Sequence, residues 1–391
     1  MLEYFPSNYV WNLSTNIALM MGGNVGEIDT ICRQLIDVSK IADDSGTVAF
    51  FESWCEQADR LVDLAQDDAR AGRRLSAGTK YLRAAAYFIT AERMQSRLFE
   101  PRKRAFNKML ESFAHYVELA SPNCERVEIP YQGKILAGLF VRAERDDGSA
   151  APCVAFFNGL DSTKEMIYGC GIGQDLAKRG ISSLMVDQPG VGEALRLQDL
   201  HAIVEAEVWA SACVDALERR HDVDCRFLGT CAWSLGGFFA PRAAAFEKRF
   251  KLCVAWGANF NWGELQKRRL AREGDRPVPH YWEHVQWVWG KDSLDEFMAF
   301  APRVTLQDSI DKITVPFLVT HGSNDRQIPR EYAIQQYEGA INSPKRELKW
   351  FTPREGGIEH VSADNPLNAK DYIADWIAET FLELGAKGTR T

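Results

Sequence analysis

The 391-residue sequence lacks long apolar runs, and this absence excludes a protein that crosses a membrane by helices. A membrane-spanning helix needs about 20 consecutive apolar residues, and no stretch has that length. Residues 1–6 also lack the basic segment followed by an apolar segment that marks a secretory signal. No repeat of fixed period, the mark of a solenoid, is present. We therefore expect a cytoplasmic location and no membrane partner.

The sequence also lacks cysteines and histidines at metal-binding spacings. Its nine cysteines are odd in number and scattered, and no C-x-x-C pair occurs among them. Cys153, Cys231 and Cys253 lie within apolar, strand-like runs. Such cysteines are typical of buried thiols in a reducing compartment. We expect neither disulfides nor a metal ion.

An excess of positive charge is missing as well. The 46 Lys and Arg residues are outnumbered by 54 Asp and Glu residues, which gives a net charge of −8. Proteins that bind nucleic acid need a basic surface against the phosphates. The short basic run at residues 102–104 is typical of a solvated helix face. We therefore expect no nucleic-acid partner and consider a small-molecule substrate instead.

What is present falls into two regions. Residues 1–120 have helical periodicity, and one face carries Leu61, Leu64, Ala65 and Ala69. The next segment has an apolar series with the same helical spacing, namely Tyr81, Ala84, Ala85, Phe88 and Ala91. Residues 121–391 alternate apolar strand-like runs with helical segments. This alternation predicts a mostly parallel, doubly wound sheet with helices on both faces.

Eight strands are predicted in the second region. The first two form a hairpin that turns near Gln132 and Gly133. The predicted strands span residues 125–129, 135–142, 153–157, 182–186, 225–232, 252–258, 315–320 and 347–351. Residues 262–306, which contain His280, His284 and several tryptophans, are too long for an ordinary loop. We interpret them as a helical insertion over the site.

The strongest motif is Ala-Trp-Ser-Leu-Gly-Gly at residues 232–237, between an apolar strand and a helical segment. A nucleophile elbow holds a serine in strained backbone geometry and needs small residues on both arms of the turn. The usual pattern is G-x-S-x-G, and here Ala232 replaces the first glycine. The alternative is a serine that only caps a helix. The strand–turn–helix context favours Ser234 as a nucleophile.

Two partners for Ser234 follow in the order that the elbow predicts. Asp325 comes after an apolar strand and would orient an imidazole, although a turn aspartate can simply bind its own backbone. His360 lies on a loop before the last helical segment and is the predicted base. His321 is the alternative base, but it lies at the same strand end as Asp325. We interpret it as a structural histidine.

An oxyanion hole requires two backbone N–H donors. One should come from Leu235, directly after the nucleophile, and the other from Leu160, after the third strand. Residues 187–192 contain two glycines but lack the lysine of a P-loop and the spacing of a dinucleotide-binding fingerprint. The sequence therefore predicts no cofactor. Asp161, Trp233, His280 and His284 are candidates for the substrate pocket.

Residues 159–165, the elbow, and the placement of Asp325 and His360 together resemble one group of α/β-hydrolases. This group holds 2,6-dihydroxypseudooxynicotine hydrolase and the fungal yellowish-green polyketide-shortening hydrolases, which cleave carbon–carbon bonds. The resemblance implies an α/β-hydrolase fold over residues 121–391, a lid formed by residues 1–120, and a homodimer. It also implies an auxiliary glutamate, which we match to Glu264. The alternative for Glu264 is a surface carboxylate.

The reaction that the resemblance implies is hydrolysis of a carbon–carbon bond in a ketonic, aromatic or polyketide-like substrate. A carboxylesterase, a lactonase or an acyl-transferring cyclase would need the same Ser-His-Asp set. A catalytically silent ligand receptor is the third alternative, but it has no need to keep all three residues. The fold alone cannot choose among substrates.

Overall fold

The computed structural model describes residues 1–6, 8–41, 46–145, 147–272 and 278–388, the last two by their backbone alone. The chain divides into two compact units. The helical unit comprises Met1–Glu125 and Arg272–Trp287, and the sheet unit comprises Arg126–Ala271 and Val288–Thr391. Residues 273–277 of the predicted insertion lie outside the described residues. The lid role of residues 1–120 stays a prediction.

The helical unit begins with five helices: α1 Tyr9–Met20, α2 Val25–Arg33, α3 Thr47–Arg70, α4 Arg74–Glu92 and α5 Pro101–Ala120. Asparagine side chains cap the first two, because Asn8 accepts from the Trp11 N–H and Asn24 from the Gly26 N–H. All five apolar residues predicted to share a face of α4 are buried. On α3 the prediction is wrong for Leu64 and Ala69, whose side chains are exposed while Leu61 and Ala65 are buried.

The sheet unit contains eight strands: β1 Cys124–Tyr131, β2 Lys134–Val141, β3 Ala151–Phe157, β4 Ser182–Val186, β5 Val223–Trp233, β6 Phe250–Trp256, β7 Phe317–Gly322 and β8 Arg346–Phe351. Their spatial order is β1-β2-β4-β3-β5-β6-β7-β8. Strand β2 runs antiparallel to β4, and the pairs from β4 to β8 are parallel. The prediction of eight strands in a mostly parallel sheet is confirmed. Gln132 and Gly133 both have positive φ, as a two-residue hairpin turn requires.

Helices lie between most of the parallel strands, so the central strands are buried on both faces. Every residue of β4 is buried. Five helices lie between β3 and β6 along the chain, namely α6 Lys164–Cys170, α7 Ile172–Lys178, α8 Gly192–Gln198, α9 Ala206–Glu218 and α10 Gly236–Phe246. Two more, α14 Arg330–Gly339 and α15 Pro366–Gly388, follow β7 and β8 along the chain. Among the described residues no helix is both long and apolar enough to cross a membrane.

The insertion after β6 is helical in its described part, as predicted. It contains α11 Trp262–Leu270, α12 Tyr281–Trp289 and α13 Leu294–Phe300. In the sheet unit the ring of Trp262 lies 5.7 Å from that of Trp289 and 5.7 Å from that of Phe297, measured between centroids. Both tryptophans are buried, so their main role is to fill the core of this unit.

Candidate active site

Ser234 lies at the turn between β5 and α10 and has φ = 59°. A non-glycine residue adopts this left-handed conformation rarely, and it persists only where the surroundings fix it. Here the Ser234 N–H donates to the carbonyl oxygen of Trp256 on β6, at 2.9 Å. This strained strand-to-helix turn has the geometry that a nucleophile elbow requires.

Small residues permit this turn. A Cβ on Gly236 would lie 2.7 Å from the Cβ of Ala232 and 2.8 Å from the carbonyl oxygen of Asn158. A Cβ on Gly237 would lie 1.9 Å from the carbonyl oxygen of Gly257. The methyl group of Ala232 is accommodated because Gly236 has none.

His360 connects Ser234 to Asp325. Its Nε2 lies 2.9 Å from Ser234 Oγ, and its Nδ1 lies 2.9 Å from Asp325 Oδ2. An ionised carboxylate can only accept hydrogen bonds, so Nδ1 carries the proton and Nε2 accepts from the serine hydroxyl. All three side chains are therefore arranged for transfer of the Ser234 proton to His360.

Asp325 is held ionised although its side chain is only 1% exposed. Burial alone would raise the pKa of Asp325, but the electrostatic attraction to His360 and the hydrogen bond from its ring lower that pKa to about 2. The other carboxylate oxygen accepts the N–H groups of Gln327 at 2.8 Å and Ile328 at 3.0 Å. These bonds fix the carboxylate toward the His360 ring.

Two acidic residues that the sequence did not single out position the loops of Asp325 and His360. Glu359 is buried and binds Asn324 Nδ2 at 2.9 Å and the Arg326 guanidinium at 3.2 Å, so it ties the two loops together. Asp364 accepts the N–H groups of residues 357, 358 and 359. After His360 the chain turns sharply, and Val361 has φ = 47°.

His321 makes different contacts. The Ala258 N–H donates to its Nδ1 at 3.3 Å, and its Nε2 lies 3.1 Å from the carbonyl oxygen of Ile328. The proton therefore resides on Nε2, which lies 3.8 Å from Asp325 Oδ2. Burial lowers the pKa of His321, which favours the neutral ring. Both ring nitrogens of His321 thus bind backbone groups.

The backbone after β3 lies directly against Ser234. A Cβ on Gly159 would be 2.8 Å from Ser234 Cβ and 3.2 Å from Ser234 Oγ. The Gly159 N–H donates to Ser162 Oγ at 3.0 Å, so it is already engaged. Leu160 is the next residue and is buried, as is Leu235, which precedes the first turn of α10. The first N–H groups of a helix have no partner within it.

The remaining predicted residues differ in their surroundings. Asp161 is half-buried in the loop after β3, and Trp233 is buried, with its Nε1 donating to Ser162 Oγ at 2.9 Å. His280 and His284 belong to the helical unit, where His280 Nε2 lies 3.4 Å from Thr47 Oγ1 and the His284 ring lies 6.1 Å from that of Trp287.

Glu264 lies in the first turn of α11, and its side chain is 43% exposed. Its N–H binds the capping Asn261 at 3.0 Å, and its carboxylate lies 3.6 Å from the Arg268 guanidinium. Within the described part of the chain, no hydrogen bond or ion pair joins Glu264 to Ser234 or His360. The same part of the chain contains no group of three or more His, Cys, Asp or Glu residues that could hold a metal ion.

The amino-acid sequence of the chain is similar to those of known hydrolases. No protein-family model matches the chain. It is 25% identical over 339 residues to a 2,6-dihydropseudooxynicotine hydrolase of Paenarthrobacter nicotinovorans, covering 86% of this chain and 85% of the relative. It is also 25% identical over 398 residues to the 20-hydroxy-prefusarin hydrolase FUS2 of Gibberella moniliformis, covering 92% of this chain and 93% of the relative.

A solved structure extends the comparison to the fold. The crystal structure of the 2,6-dihydroxy-pseudo-oxynicotine hydrolase matches with a TM-score of 0.75, over 93% of this chain and 95% of the other, at 21% sequence identity. The eight-stranded sheet and the helical N-terminal region are thus those of a known hydrolase architecture. The relatives are hydrolases by name and align along most of their length. The chain therefore has the fold of an α/β-hydrolase, and it resembles the group that holds 2,6-dihydroxypseudooxynicotine hydrolase and its fungal counterparts.

Proposed function

We propose that the chain is a serine hydrolase in which Ser234 is the nucleophile, His360 the general base and Asp325 the residue that orients His360. The observation that carries this proposal is the pair of 2.9 Å contacts from His360, one to Ser234 Oγ and one to Asp325 Oδ2. The left-handed φ of Ser234 supports it, because the turn exposes the hydroxyl on a strained elbow.

In this mechanism His360 takes the proton of Ser234 as the hydroxyl oxygen attacks the substrate carbonyl carbon. Asp325 remains ionised and stabilises the imidazolium that forms. The N–H groups of Leu160 and Leu235 donate to the oxyanion, each worth roughly 2.7–4 kcal/mol in comparable sites. The proton on His360 passes to the leaving group, directly or by way of an auxiliary acid, and the neutral His360 then activates the water that hydrolyses the acyl-enzyme.

The proposed substrate is a ketone whose carbon–carbon bond is cleaved, of an aromatic or polyketide-like kind. The resemblance to the group of carbon–carbon bond hydrolases supports this class, and two relatives are named as hydrolases of a pseudooxynicotine and of a prefusarin. A carbon leaving group is a poor one, so the substrate must delocalise the charge or receive a proton as the bond breaks. Glu264 is the proposed donor of that proton, although its exposure and its ion pair with Arg268 fit a surface carboxylate equally well. The pocket roles of Asp161, Trp233, His280 and His284 stay predictions, as do the homodimer and the cytoplasmic location.

A covalent probe tests the nucleophile. A fluorophosphonate should add one adduct to the wild-type protein, on Ser234, and none to Ser234→Ala. Ser309→Ala is a matched control, because it removes a buried hydroxyl whose described contact is the backbone of Leu306. The control should be labelled like the wild type. Labelling of another residue, with full activity in Ser234→Ala, would contradict the proposal.

A substrate panel tests the bond that is cleaved. β-Diketones and acyl-phenols should be turned over by the wild type, with the cleaved acid and the released carbon fragment identified by mass spectrometry. Activated aryl esters should react as well, because they need only the same three residues. Fast ester turnover with no ketone cleavage across the panel would replace the proposal with a carboxylesterase or lactonase function.

A further inference from the structure

The hydroxyl of Ser162 uses its full hydrogen-bonding capacity inside the sheet unit. The side chain is 5% exposed and lies in the loop between β3 and α6. Its oxygen accepts the Gly159 N–H at 3.0 Å and the Trp233 Nε1–H at 2.9 Å, and it donates to Asn158 Oδ1 at 2.7 Å. A serine hydroxyl offers one donor and two acceptor sites, so every site is occupied.

The partners of Ser162 lie on the two sides of the proposed oxyanion hole. Gly159 packs against Ser234, since a Cβ on it would lie 2.8 Å from Ser234 Cβ. Trp233 directly precedes Ser234 at the end of β5. The hydroxyl of Ser162 thus connects the loop that carries Leu160 to the elbow that carries Ser234 and Leu235.

Asn158, which accepts the hydrogen bond donated by Ser162, is itself held in place by hydrogen bonds. Its N–H donates to Gln188 Oε1 at 3.0 Å, and its carbonyl oxygen accepts from Gln188 Nε2 at 3.0 Å. Its side-chain Nδ2 donates to the carbonyl oxygen of Val186 at 2.8 Å. This bond turns Oδ1 toward Ser162 as an acceptor, and it anchors the loop to the end of β4.

We propose that Ser162 is a positioning residue that sets the distance between the Leu160 N–H and Ser234. The inference rests on the proposed serine hydrolase mechanism. Without the hydroxyl, Gly159 and Trp233 lose a common acceptor, and the loop is free to shift relative to the elbow. An error of about 1 Å in the placement of a catalytic group can cost about a hundredfold in rate.

The test compares Ser162→Ala with Thr163→Val. Thr163 is the matched control, because it is buried beside Ser162 and its hydroxyl has no hydrogen-bond partner among the described residues. For each protein kcat and KM are measured with an activated aryl ester, the melting temperature is measured, and the inhibition constant of an aryl trifluoromethyl ketone is determined. That ketone adds to the serine as a hemiketal whose oxyanion occupies the hole.

Ser162→Ala should lower kcat about 10- to 100-fold with little change in KM, since the loss is confined to the transition state. The affinity for the trifluoromethyl ketone should fall by a similar factor. Thr163→Val should leave all of these values close to those of the wild type. A purely structural role for Ser162 would lower the melting temperature without the parallel change in ketone affinity, and that result would overturn the inference.

Trp233→Phe is the second variant, for the case in which Ser162→Ala does not fold. It removes only one of the three hydrogen bonds, so kcat and ketone affinity should fall together by a smaller factor. Unchanged values in Trp233→Phe would overturn the inference. If the wild type neither reacts with a fluorophosphonate nor turns over any ester or ketone, the proposed function itself fails. A labelled, active wild type with an equally active Ser162→Ala contradicts only the positioning role.

Discussion

The ammonium of Lys164 lies 3.0 Å from the carboxylate of Asp187, and both side chains are at most 1% exposed. Lys164 Nζ also lies 2.7 Å from Glu165 and 2.6 Å from Glu193. Asp187 accepts the N–H of Lys164 at 2.7 Å and that of Glu193 at 2.9 Å, at the beginnings of α6 and α8. Lys164 is therefore the buried cation of an acidic cluster at the ends of β3 and β4, and the half-exposed Arg126 adds a second positive charge through its ion pair with Glu193. Burial disfavours the charge of Lys164, but the three carboxylates outweigh it and raise its pKa.

Replacing Lys164 by methionine should destabilise the protein by about 3–5 kcal/mol, because the carboxylates would lose their buried counter-charge. Urea denaturation followed by tryptophan fluorescence measures the change. Lys178→Met is the control, since that side chain is 65% exposed and its nearest carboxylate is 3.9 Å away. The control should change stability by less than about 0.5 kcal/mol. Equal effects of the two substitutions would show that the cluster is not electrostatically critical.

The two histidines near Asp325 should respond differently to removal. His360→Ala should reduce kcat at least about a thousandfold, as loss of a member of a Ser-His-Asp triad does. His321→Ala should mainly lower the melting temperature, because the Ala258 N–H and the Ile328 carbonyl oxygen lose their partner. Steady-state kinetics and thermal unfolding on both variants decide the assignment. The opposite pattern would make His321 the base.

The low pKa of Asp325 predicts a loss of stability in acid. In the folded protein that pKa is lowered from 3.8 to about 2, so Asp325 contributes stability above its unfolded pKa. The contribution is on the order of 2 kcal/mol, because each tenfold change in proton affinity corresponds to about 1.4 kcal/mol, and it is lost as the pH falls from about 4 to about 2. In urea titrations at pH 6, 4 and 3, the stability gap between wild type and Asp325→Asn should narrow toward low pH. A gap that stays constant would show that Asp325 does not titrate with folding in this range.

The proposed acid role of Glu264 predicts a selective effect of Glu264→Gln. Turnover of a β-diketone or an acyl-phenol should fall about 10- to 100-fold, since general acid catalysis contributes on that order or more. Turnover of an activated aryl ester should be largely spared, because its leaving group needs no proton. Both substrates are assayed side by side with each protein. Loss of neither activity would leave Glu264 as a surface carboxylate paired with Arg268.

The apolar runs of the sequence predict all eight strands. The observed strand ends differ from the predicted ones because of local backbone chemistry. The seventh strand was predicted from residue 315 and begins at Phe317, since Pro316 has no N–H to donate to a neighbouring strand. The sixth was predicted to residue 258 and ends at Trp256, because Gly257 turns the chain with φ = 88°. The proposed elbow, Asp325 and His360 occur in the chain order that is typical of this fold, so these candidates could be chosen from the sequence.

Other features of the site depend on contacts between distant segments. Ser162, Glu359 and Asp364 act on backbone and side-chain groups that only the folded chain brings to them, and no periodicity marks such residues. Leu64 on α3 is the opposite case, a residue that the sequence pattern singles out but that the folded chain leaves exposed. It shares a helical face with Leu61 in the sequence pattern, but the buried line of α3 runs through Ala58, Leu61 and Ala65 and leaves Leu64 in solvent. Which edge of an amphipathic face is covered depends on the packing partner.

The close approach of Ala232 and Gly236 makes the two small positions of the elbow unequal. A methyl group on Gly236 would meet both the Ala232 methyl and the carbonyl oxygen of Asn158, whereas the methyl on Ala232 has room. An alanine is therefore accommodated at position 232, at the end of β5. An alanine at position 236, at the start of α10, would clash. A search that demands glycine at both places would overlook chains of this kind. A pattern that admits alanine before the serine, and insists on glycine after it, would recover them.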